Sequence, residues 1–391
     1  MPEPHLLPPG LGAELDARLS GIDAELVSSG VRARTRQPVH TAYVPADRFT
    51  PATASEWGSA ALAALREHAP EAAALGVDAD VYRRVVAKLE REPVEDLRVD
   101  FEDGYGARPD DEEDADAVRA GAALREPATA GCGIRIKSLE ATTRERALRT
   151  LDRLLGACGR VPAGFVVTLP KVSVPEQVIA MREICDAVGT ALRGGPLRFE
   201  LQVETPRAVA RMGEIVAAAG PHCAGLHYGT YDYSASLGIA AAHQSLDHPA
   251  ADHAKSVMQV AAATVGIPVV DGSSNVLPVG DRKAVRAAWD LHRGLVHRSM
   301  VRGFYQGWDL HPAQLVSRYA AVFSFYREGL DAAGRRVRAY ADRVSGGVLD
   351  EPATARALTG YLLRGLDCGA LDESEVVTVS GLDRNGLVGL S

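Results

Sequence analysis

The sequence has little of what several large classes of protein require. Its 391 residues contain no apolar run near the roughly 18 residues that cross a bilayer, and the N-terminus lacks a basic flank followed by an apolar stretch. We therefore expect a cytoplasmic protein without a membrane partner.

The net charge is -8, from 43 Lys and Arg against 51 Asp and Glu. This acidic balance argues against nucleic-acid binding, because neutralising phosphates requires clustered Lys and Arg.

The sequence also has few cysteines and no glycine-rich phosphate-binding loop. The cysteines are odd in number, scattered and without a C-x-x-C pair, so neither a disulfide framework nor a zinc ribbon is expected, and buried thiols are. They are Cys132, Cys158, Cys185, Cys223 and Cys368. No G-x-x-x-x-G-K-[ST] loop occurs, and VPADRFTP, after the first predicted strand, is not glycine-rich. These absences argue against a doubly wound open sheet, the competing architecture.

What the sequence does contain is an alternation of short β-branched or apolar runs with Ala-, Leu-, Arg- and Glu-rich stretches of helical period. The predicted strands are VHTAYV (39–44), LRVDFE (97–102), GIRIKSL (133–139), GFVVTLPK (164–171), RFELQVE (198–204), CAGLHYG (223–229), IPVVDG (267–272) and FYQGWDL (304–310). Eight strands with intervening helices predict an α/β protein with a (β/α)8 TIM barrel over residues 39–320. We expect residues 1–38 to form an N-terminal segment and residues 321–391 a C-terminal helical extension.

Ionisable residues collect at the carboxyl ends of these predicted strands, where the active sites of barrels lie. Pairs on alternate positions of one strand share a face: Asp100 with Glu102, Arg135 with Lys137, and Gln202 with Glu204. Lys171 and Asp232 follow the fourth and sixth strands. Oxygen ligands of this kind select a hard divalent ion, so Mg²⁺ or Mn²⁺ is expected rather than zinc. The alternative is a set of salt bridges that only closes the barrel.

Six strings at these strand ends, in this order, resemble one superfamily. They are VDFEDGYG, GIRIKSLE, VTLPKV, LQVETPRAV, GLHYGTYDYSASLG and GWDLHPAQL. The superfamily includes the citrate lyase beta subunit, malyl-CoA lyase and the metal-dependent hydroxy-oxo-acid aldolases, and the resemblance covers about residues 40–320. It implies a TIM barrel, a Mg²⁺ or Mn²⁺ cofactor and a homo-oligomer.

The resemblance also implies roles for individual residues. Glu204 and Asp232 match the two residues that ligate Mg²⁺ in the family, and Arg135 matches the arginine that binds the carboxylate and oxo group of the substrate. The acidic element of the second strand, whose members hydrogen-bond water on the metal, is matched by Asp100, Glu102 and Asp103. Lys137 and Lys171 are predicted to bind substrate together with Arg135. Lys137 departs from the family pattern R-V-N, in which an asparagine stands at its position.

DFED and GTYDYSAS are closer to malate synthase, in which a C-terminal domain supplies a catalytic aspartate. By this resemblance Asp367 and Asp372 are candidate bases in the extension.

Three histidines follow the sixth predicted strand: His243, His248 and His253. If they have a function, we expect them to act from a mobile loop over the mouth of the barrel. His311 precedes a proline at a helix start and is interpreted as structural. The acidic run over residues 110–116 is interpreted as the solvated N-terminus of a helix.

These observations predict a Mg²⁺-dependent carbon–carbon lyase of the aldolase or citrate-lyase-beta type, acting through an enolate whose charge the metal stabilises. The expected substrate is a small oxo acid or hydroxy acid, either free or as a CoA thioester. Three alternatives remain open at this point. One is a Claisen condensation like that of malate synthase, the second is a Schiff-base aldolase using Lys171 or Lys137, and the third is a metabolite-binding subunit without catalysis.

Overall fold

The computed structural model describes residues 8, 10–30, 35–192, 197–342 and 351–390, and within them eight parallel strands form one sheet. The strands are β1 His40–Pro45, β2 Asp96–Asp100, β3 Gly131–Arg135, β4 Phe165–Leu169, β5 Arg198–Val203, β6 Cys223–Tyr228, β7 Val269–Val270 and β8 Gly307–Asp309. They pair in the order β7-β6-β5-β4-β3-β2-β1-β8.

Two backbone hydrogen bonds join the outer members of this order and close the barrel. The N–H of Asp271, just after β7, donates to the carbonyl of Gln306 at 2.9 Å, and the N–H of Trp308 in β8 donates to the carbonyl of Gly272 at 3.3 Å. A parallel sheet closed in this way, with helices between its strands, is a (β/α)8 TIM barrel. The predicted fold class is confirmed.

Helices surround the barrel. The α-helices in the described part of the chain are α1 Leu11–Gly30, α2 Thr53–His68, α3 Ala72–Leu75, α4 Ala79–Arg91, α5 Asp110–Ala123, α6 Arg144–Cys158, α7 Pro175–Ala191, α8 Pro206–Ala210, α9 Met212–Ala219, α10 Thr230–Ser236, α11 Pro249–Ala263, α12 Arg282–Val301, α13 Gln314–Ala341, α14 Pro352–Cys368, α15 Glu373–Ser380 and α16 Arg384–Gly389. None of these helices has the combination of length and apolar composition needed to cross a membrane.

The strands are shorter than predicted at several ends. β3 stops at Arg135, whereas the prediction ran to residue 139, and β7 keeps only Val269–Val270 of residues 267–272. The carbonyl of Arg135 still accepts a hydrogen bond from the N–H of Phe101 at 2.9 Å. Beyond that bond the chain leaves the ladder, so the alternation of side chains between two faces no longer holds for Lys137.

The C-terminal helices pack against α13. Helix α13 runs from Gln314 to Ala341, so the predicted boundary at residue 320 falls inside it. Leu362, Leu363 and Val376 are buried there in the hydrophobic core. The division into a barrel and an extension stays a prediction.

Apolar and charged residues alternate along the strands. Val99, Ile134, Val167, Leu201 and Leu226 are fully buried members of the apolar core. By strand alternation they face the helices, and their neighbours along each strand face the lumen. The five cysteines are all buried free thiols, as predicted.

The lumen is filled by charged groups. Arg98 of β2 donates to Glu200 of β5 through Nε at 2.9 Å and Nη2 at 2.8 Å, and it also pairs with Asp96. Glu200 in turn lies 3.0 Å from His227 Nε2 of β6. Because all of these side chains are buried, each charge depends on the next for neutralisation.

Replacing Arg98 with methionine is expected to lower the free energy of unfolding by about 3–5 kcal/mol, because Asp96 and Glu200 would remain buried without their partner. Urea denaturation measures this loss. The matched control is Arg83→Met, since Arg83 pairs with Asp80 while its side chain is 75% exposed, and a change below about 1 kcal/mol is expected there. Equal effects of the two substitutions would contradict a lumen held by ion pairs.

Candidate active site

A cavity of about 330 Å³ opens at the carboxyl ends of the strands. Its acidic and basic side chains are Asp100, Asp103, Arg135, Glu204 and Asp232, and Tyr43, Trp308 and Leu310 supply apolar surface. The structure thus brings residues of β2, β3 and β5 and the segments after β2, β5 and β6 to one cavity, as the sequence predicted for the barrel mouth. A larger groove of about 790 Å³ lies between α6 and α7, on the outside of the barrel. We place the candidate site at the mouth because charged groups converge there in a concave space.

Arg135 is held in place by Asp100. The Asp100 carboxylate accepts from Nε and Nη2 of Arg135, both at 2.7 Å, and also from the N–H groups of Glu102 at 3.0 Å and Gly104 at 2.9 Å. Burial alone would raise the pKa of Asp100, but Arg135 and the two N–H groups hold it below its ordinary value. The remaining nitrogen, Nη1, lies 3.2 Å from Glu102 Oε2 and 3.4 Å from Gln202 Oε1. Nη1 is thus the one guanidinium nitrogen of Arg135 that Asp100 does not hold.

Two aromatic rings pack against the same guanidinium group. Tyr43 of β1 and Trp308 of β8 have ring centroids 4.4 Å apart, and the Arg135 guanidinium carbon lies 5.0 Å and 5.8 Å from these centroids. The Trp308 indole N–H donates to His227 Nδ1 at 3.0 Å. The aromatic pair was not predicted. It adds two cation–π contacts to the ion pair between Arg135 and Asp100.

Glu204 is the most deeply buried carboxylate of the cavity, with 1% of its surface exposed. Its Oε1 accepts from the backbone N–H of Lys171 at 2.6 Å, and its Oε2 accepts from the side-chain amide of Gln202. Burial, together with the charges of Glu102 and Asp232, raises the pKa of Glu204 to about 8. A carboxylate in this position is stabilised by any additional cation.

Gly229, immediately after β6, makes room for this carboxylate. A Cβ atom at residue 229 would lie 2.5 Å from both the Cβ and the Oε2 of Glu204. Since real Cβ atoms do not approach that closely, the absence of a side chain allows Glu204 to occupy its present position.

Lys171 contributes both its backbone and its side chain. It is the one non-glycine residue with a positive φ in the described ranges, at 53°. Its ammonium pairs with Glu102 Oε1, lies 3.1 Å and 3.2 Å from the Asp103 oxygens, and lies 3.9 Å from Asp232 Oδ2. Burial alone would lower the pKa of Lys171, but the negative charges of Glu102, Glu204 and Asp103 raise it above its ordinary value.

The donor set fits a hard divalent cation. Glu204 and Asp232 line the cavity with carboxylate groups, and nearby Glu102 Oε2 is buried with no hydrogen bond, 3.2 Å from Arg135 Nη1. Over the described ranges, no three His, Cys, Asp or Glu side chains are grouped so as to hold a metal by themselves. An ion held by Glu204 and Asp232 would complete its shell with water and ligand oxygens, as Mg²⁺ commonly does.

Lys137 points away from the cavity. Its ammonium donates to the carbonyl of Phe101 at 2.6 Å and lies 3.1 Å from Glu113 Oε2. Glu113 and Asp116 are themselves buried, so the interpretation of the acidic run over residues 110–116 as a solvated helix N-terminus is wrong for these two residues. The charge of Glu113 is matched by Lys137 and by Arg146 at 2.8 Å. The substrate-binding role of Lys137 stays a prediction that its position does not favour.

The other candidates from the sequence have structural contacts. His248 Nδ1 accepts from the N–H of Ala250 at 3.1 Å and so caps α11, and His311 Nδ1 accepts from the N–H of Ala313 at 3.2 Å. Asp372 pairs with Arg84 of α4 at 2.8 Å, and Asp367 pairs with Arg384 at 2.7 Å. Among the described residues that line the cavity, none is a histidine and none belongs to the C-terminal helices.

Sequence reasoning also missed Gln314, a fully buried residue at the start of α13. Its Oε1 accepts from the N–H groups of Leu310 at 2.8 Å and His311 at 3.2 Å, and its Nε2 donates to the carbonyl of Ser274 at 2.9 Å. This amide ties the segment after β8 to the segment after β7, at the rim of the cavity. The string GWDLHPAQL could have indicated this role, because its last polar residue, Gln314, lies in the first turn of α13.

Comparisons with known proteins agree with this fold. A family model described as a domain of unknown function, DUF6986, matches residues 23–391. A crystal structure of a citrate lyase from Burkholderia xenovorans has a TM-score of 0.62 and 19% identity, covering 89% of this chain and 98% of that chain. The CitE protein from Mycobacterium tuberculosis, in complex with magnesium, acetoacetate and coenzyme A, has a TM-score of 0.52 and 22% identity, covering 86% of this chain and 99% of that chain.

The comparison with curated proteins found no match. At the identities of the two solved structures, the likeness concerns the fold. It confirms at that level the resemblance seen in the strand-end strings.

Gly229→Ala tests the close approach of Glu204. We expect the substitution to lower the free energy of unfolding by about 1–3 kcal/mol, because the new methyl group overlaps the buried carboxylate. Gly156→Ala is the control, since a Cβ there, in helix α6, meets nothing within 4 Å and should stabilise the protein by up to about 1 kcal/mol. Urea denaturation of both variants distinguishes the two effects. A Gly229→Ala protein as stable as the control would show that Glu204 is not confined.

Proposed function

The chain belongs to the DUF6986 family, and we propose that it is a Mg²⁺-dependent carbon–carbon lyase acting on a small oxo acid or hydroxy acid. One observation carries the proposal: Glu204 and Asp232 face the same 330 Å³ cavity as Arg135, whose Nη1 is not taken up by Asp100. The CitE structure with magnesium and acetoacetate supports it, because its fold is shared by this chain.

Cleaving a carbon–carbon bond beside a carbonyl group leaves negative charge on the departing fragment, and that charge has to be stabilised. Glu204 and Asp232 would hold the ion, while Glu102 and Asp103 would accept hydrogen bonds from its water. When bound, Mg²⁺ acts as a Lewis acid toward the oxo and carboxylate oxygens of the substrate.

Arg135 would bind the carboxylate of the substrate through Nη1. Its other nitrogens are fixed by Asp100, and the rings of Tyr43 and Trp308 limit its sideways movement. The guanidinium group is thus oriented before the substrate arrives, which lowers the cost of ordering it in the complex.

Glu102 is our candidate for accepting the proton of the substrate hydroxyl group. Its Oε2 is buried, carries no hydrogen bond and lies 3.2 Å from Arg135 Nη1, so a carboxylate held by Arg135 would place the reacting end nearby. Geometry of this kind is the first requirement for a general base.

The Schiff-base alternative is less well supported. An imine requires a neutral amine, but the Lys171 ammonium contacts Glu102 and Asp103, and these charges raise its pKa. The Lys137 ammonium donates to the carbonyl of Phe101 and pairs with Glu113 of α5. A base from the extension, as in malate synthase, is also disfavoured because Asp367 and Asp372 are paired with arginines elsewhere.

A CoA thioester stays within the proposal, because the CitE structure of shared fold holds coenzyme A. A homo-oligomer likewise remains a prediction. If the protein binds the ion and an oxo acid but does not turn the acid over, its function would instead be that of a metabolite-binding subunit without catalysis.

Removing one metal ligand is expected to abolish both binding and turnover. Glu204→Gln and Asp232→Asn should each lose the Mg²⁺ signal in calorimetry and reduce pyruvate release from a panel of 4-hydroxy-2-oxo acids at least about 100-fold, as EDTA should in the unmodified protein. Glu176→Gln, at an exposed position of α7, is the matched control and should behave like the parent. Cleavage that persists in EDTA would exclude the proposed chemistry.

Borohydride trapping separates this proposal from a Schiff-base aldolase. With pyruvate and borohydride present, we expect intact-mass spectrometry to show an unchanged protein mass, because Lys171 is held as an ammonium ion. A mass increase that disappears in Lys171→Met would instead establish an imine.

A further inference from the structure

Lys171 contacts the acidic side chains of the mouth and has an unusual backbone conformation. Its φ of 53° is one that side-chain-bearing residues rarely adopt, and such conformations persist where the surrounding structure requires them. The requirement here is visible, because this conformation directs the backbone N–H onto Glu204 Oε1 at 2.6 Å. The backbone of Lys171 therefore positions Glu204, a predicted metal ligand, while its side chain is able to make separate contacts.

The side chain meets the other carboxylates of the mouth. The ammonium pairs with Glu102 Oε1, contacts both oxygens of Asp103 and lies 3.9 Å from Asp232 Oδ2. Arg135, the neighbouring cation, is held by Asp100 through two hydrogen bonds, and its Nη1 lies 3.2 Å from Glu102 Oε2. Lys171 thus supplies positive charge where Glu102, Asp103 and Asp232 would otherwise repel one another.

The second oxygen of Glu102 remains without a hydrogen bond although its side chain is only 6% exposed. The carboxylates of Glu102, Asp103, Glu204 and Asp232 thus carry more charge than one ammonium neutralises, even with Arg135 Nη1 3.2 Å from Glu102 Oε2. A divalent ion carries twice the charge and accepts several oxygen ligands at once.

We propose that Lys171 is a displaceable counter-ion: its ammonium occupies the acidic mouth in the metal-free protein and is displaced when the divalent ion binds. This inference rests on the proposed function, because it concerns the same ion. The backbone of Lys171 keeps its bond to Glu204 throughout, so the ligand stays aligned while the side chain moves. The exchange limits the affinity for Mg²⁺, since the ion pairs of Lys171 have to be broken first.

Calorimetry with Mg²⁺ alone tests the competition. Lys171→Met keeps the side-chain length without the charge, so it should bind Mg²⁺ about tenfold more tightly than the parent. Lys171→Arg retains the charge and should stay close to the parent, as should Lys283→Met at an exposed position of α12. Unchanged or weaker binding by Lys171→Met overturns the inference, whereas a parent protein that binds no Mg²⁺ overturns the proposed function itself.

Thermal unfolding gives a second readout that is independent of activity. In EDTA, Lys171→Met should melt at a lower temperature than the parent, because its carboxylates are no longer neutralised. Saturating Mg²⁺ should restore most of that loss. A loss of equal size with and without Mg²⁺ would assign Lys171 a purely structural role.

The scarcity of lysine permits direct observation of the movement. The chain has five lysines: Lys88, Lys137, Lys171, Lys255 and Lys283. Selective labelling of lysine therefore gives a simple NMR spectrum in which the signal missing from Lys171→Met identifies Lys171. On adding Mg²⁺ this signal should shift, while those of Lys88 and Lys255, buried in ion pairs with Glu95 and Asp271, should not. A stationary Lys171 signal while calorimetry reports binding would overturn the displacement and leave the lyase proposal standing.

Discussion

Charge enclosed in a closed barrel has to be neutralised by its neighbours, and this constraint shapes the molecule from the lumen to the mouth. Within the lumen, Arg98 balances Asp96 and Glu200. One layer further along the strands, Arg135 balances Asp100. At the mouth, carboxylates exceed the nearby cations, and a lysine ammonium covers only part of the excess. The same principle that stabilises the barrel interior therefore favours the cation site that we propose at its open end.

The parts of the site that follow regular strands could be predicted from the sequence. Asp100 and Arg135 end their strands, and Glu204 comes directly after β5, so alternation placed all three at the mouth. For Lys137 the same alternation gives no support, because β3 ends two residues earlier. Tyr43 and Trp308 were missed for another reason: they meet only because β1 and β8 are paired in the closed barrel. No local pattern reports a contact between residues so far apart in the chain.

Three local features fix the geometry of the site. Gly229 lets Glu204 pack closely, Lys171 directs an N–H group to the same carboxylate, and Gln314 ties together the segments after β7 and β8. Sites supported in this way hold their geometry before a ligand arrives. The C-terminal helices contribute differently, since their ion pairs with α4 fasten them to the barrel wall. The residues that we propose for the reaction thus all come from the barrel strands and the segments that follow them.

The most direct test is a crystal structure of the protein grown with Mn²⁺ and an oxo acid such as pyruvate or oxaloacetate. We expect an anomalous manganese peak within about 2.2 Å of carboxylate oxygens of Glu204 and Asp232, with the ligand carboxylate on Arg135 Nη1. Manganese bound elsewhere, or an oxo acid seated at the mouth with no ion on Glu204, would contradict it.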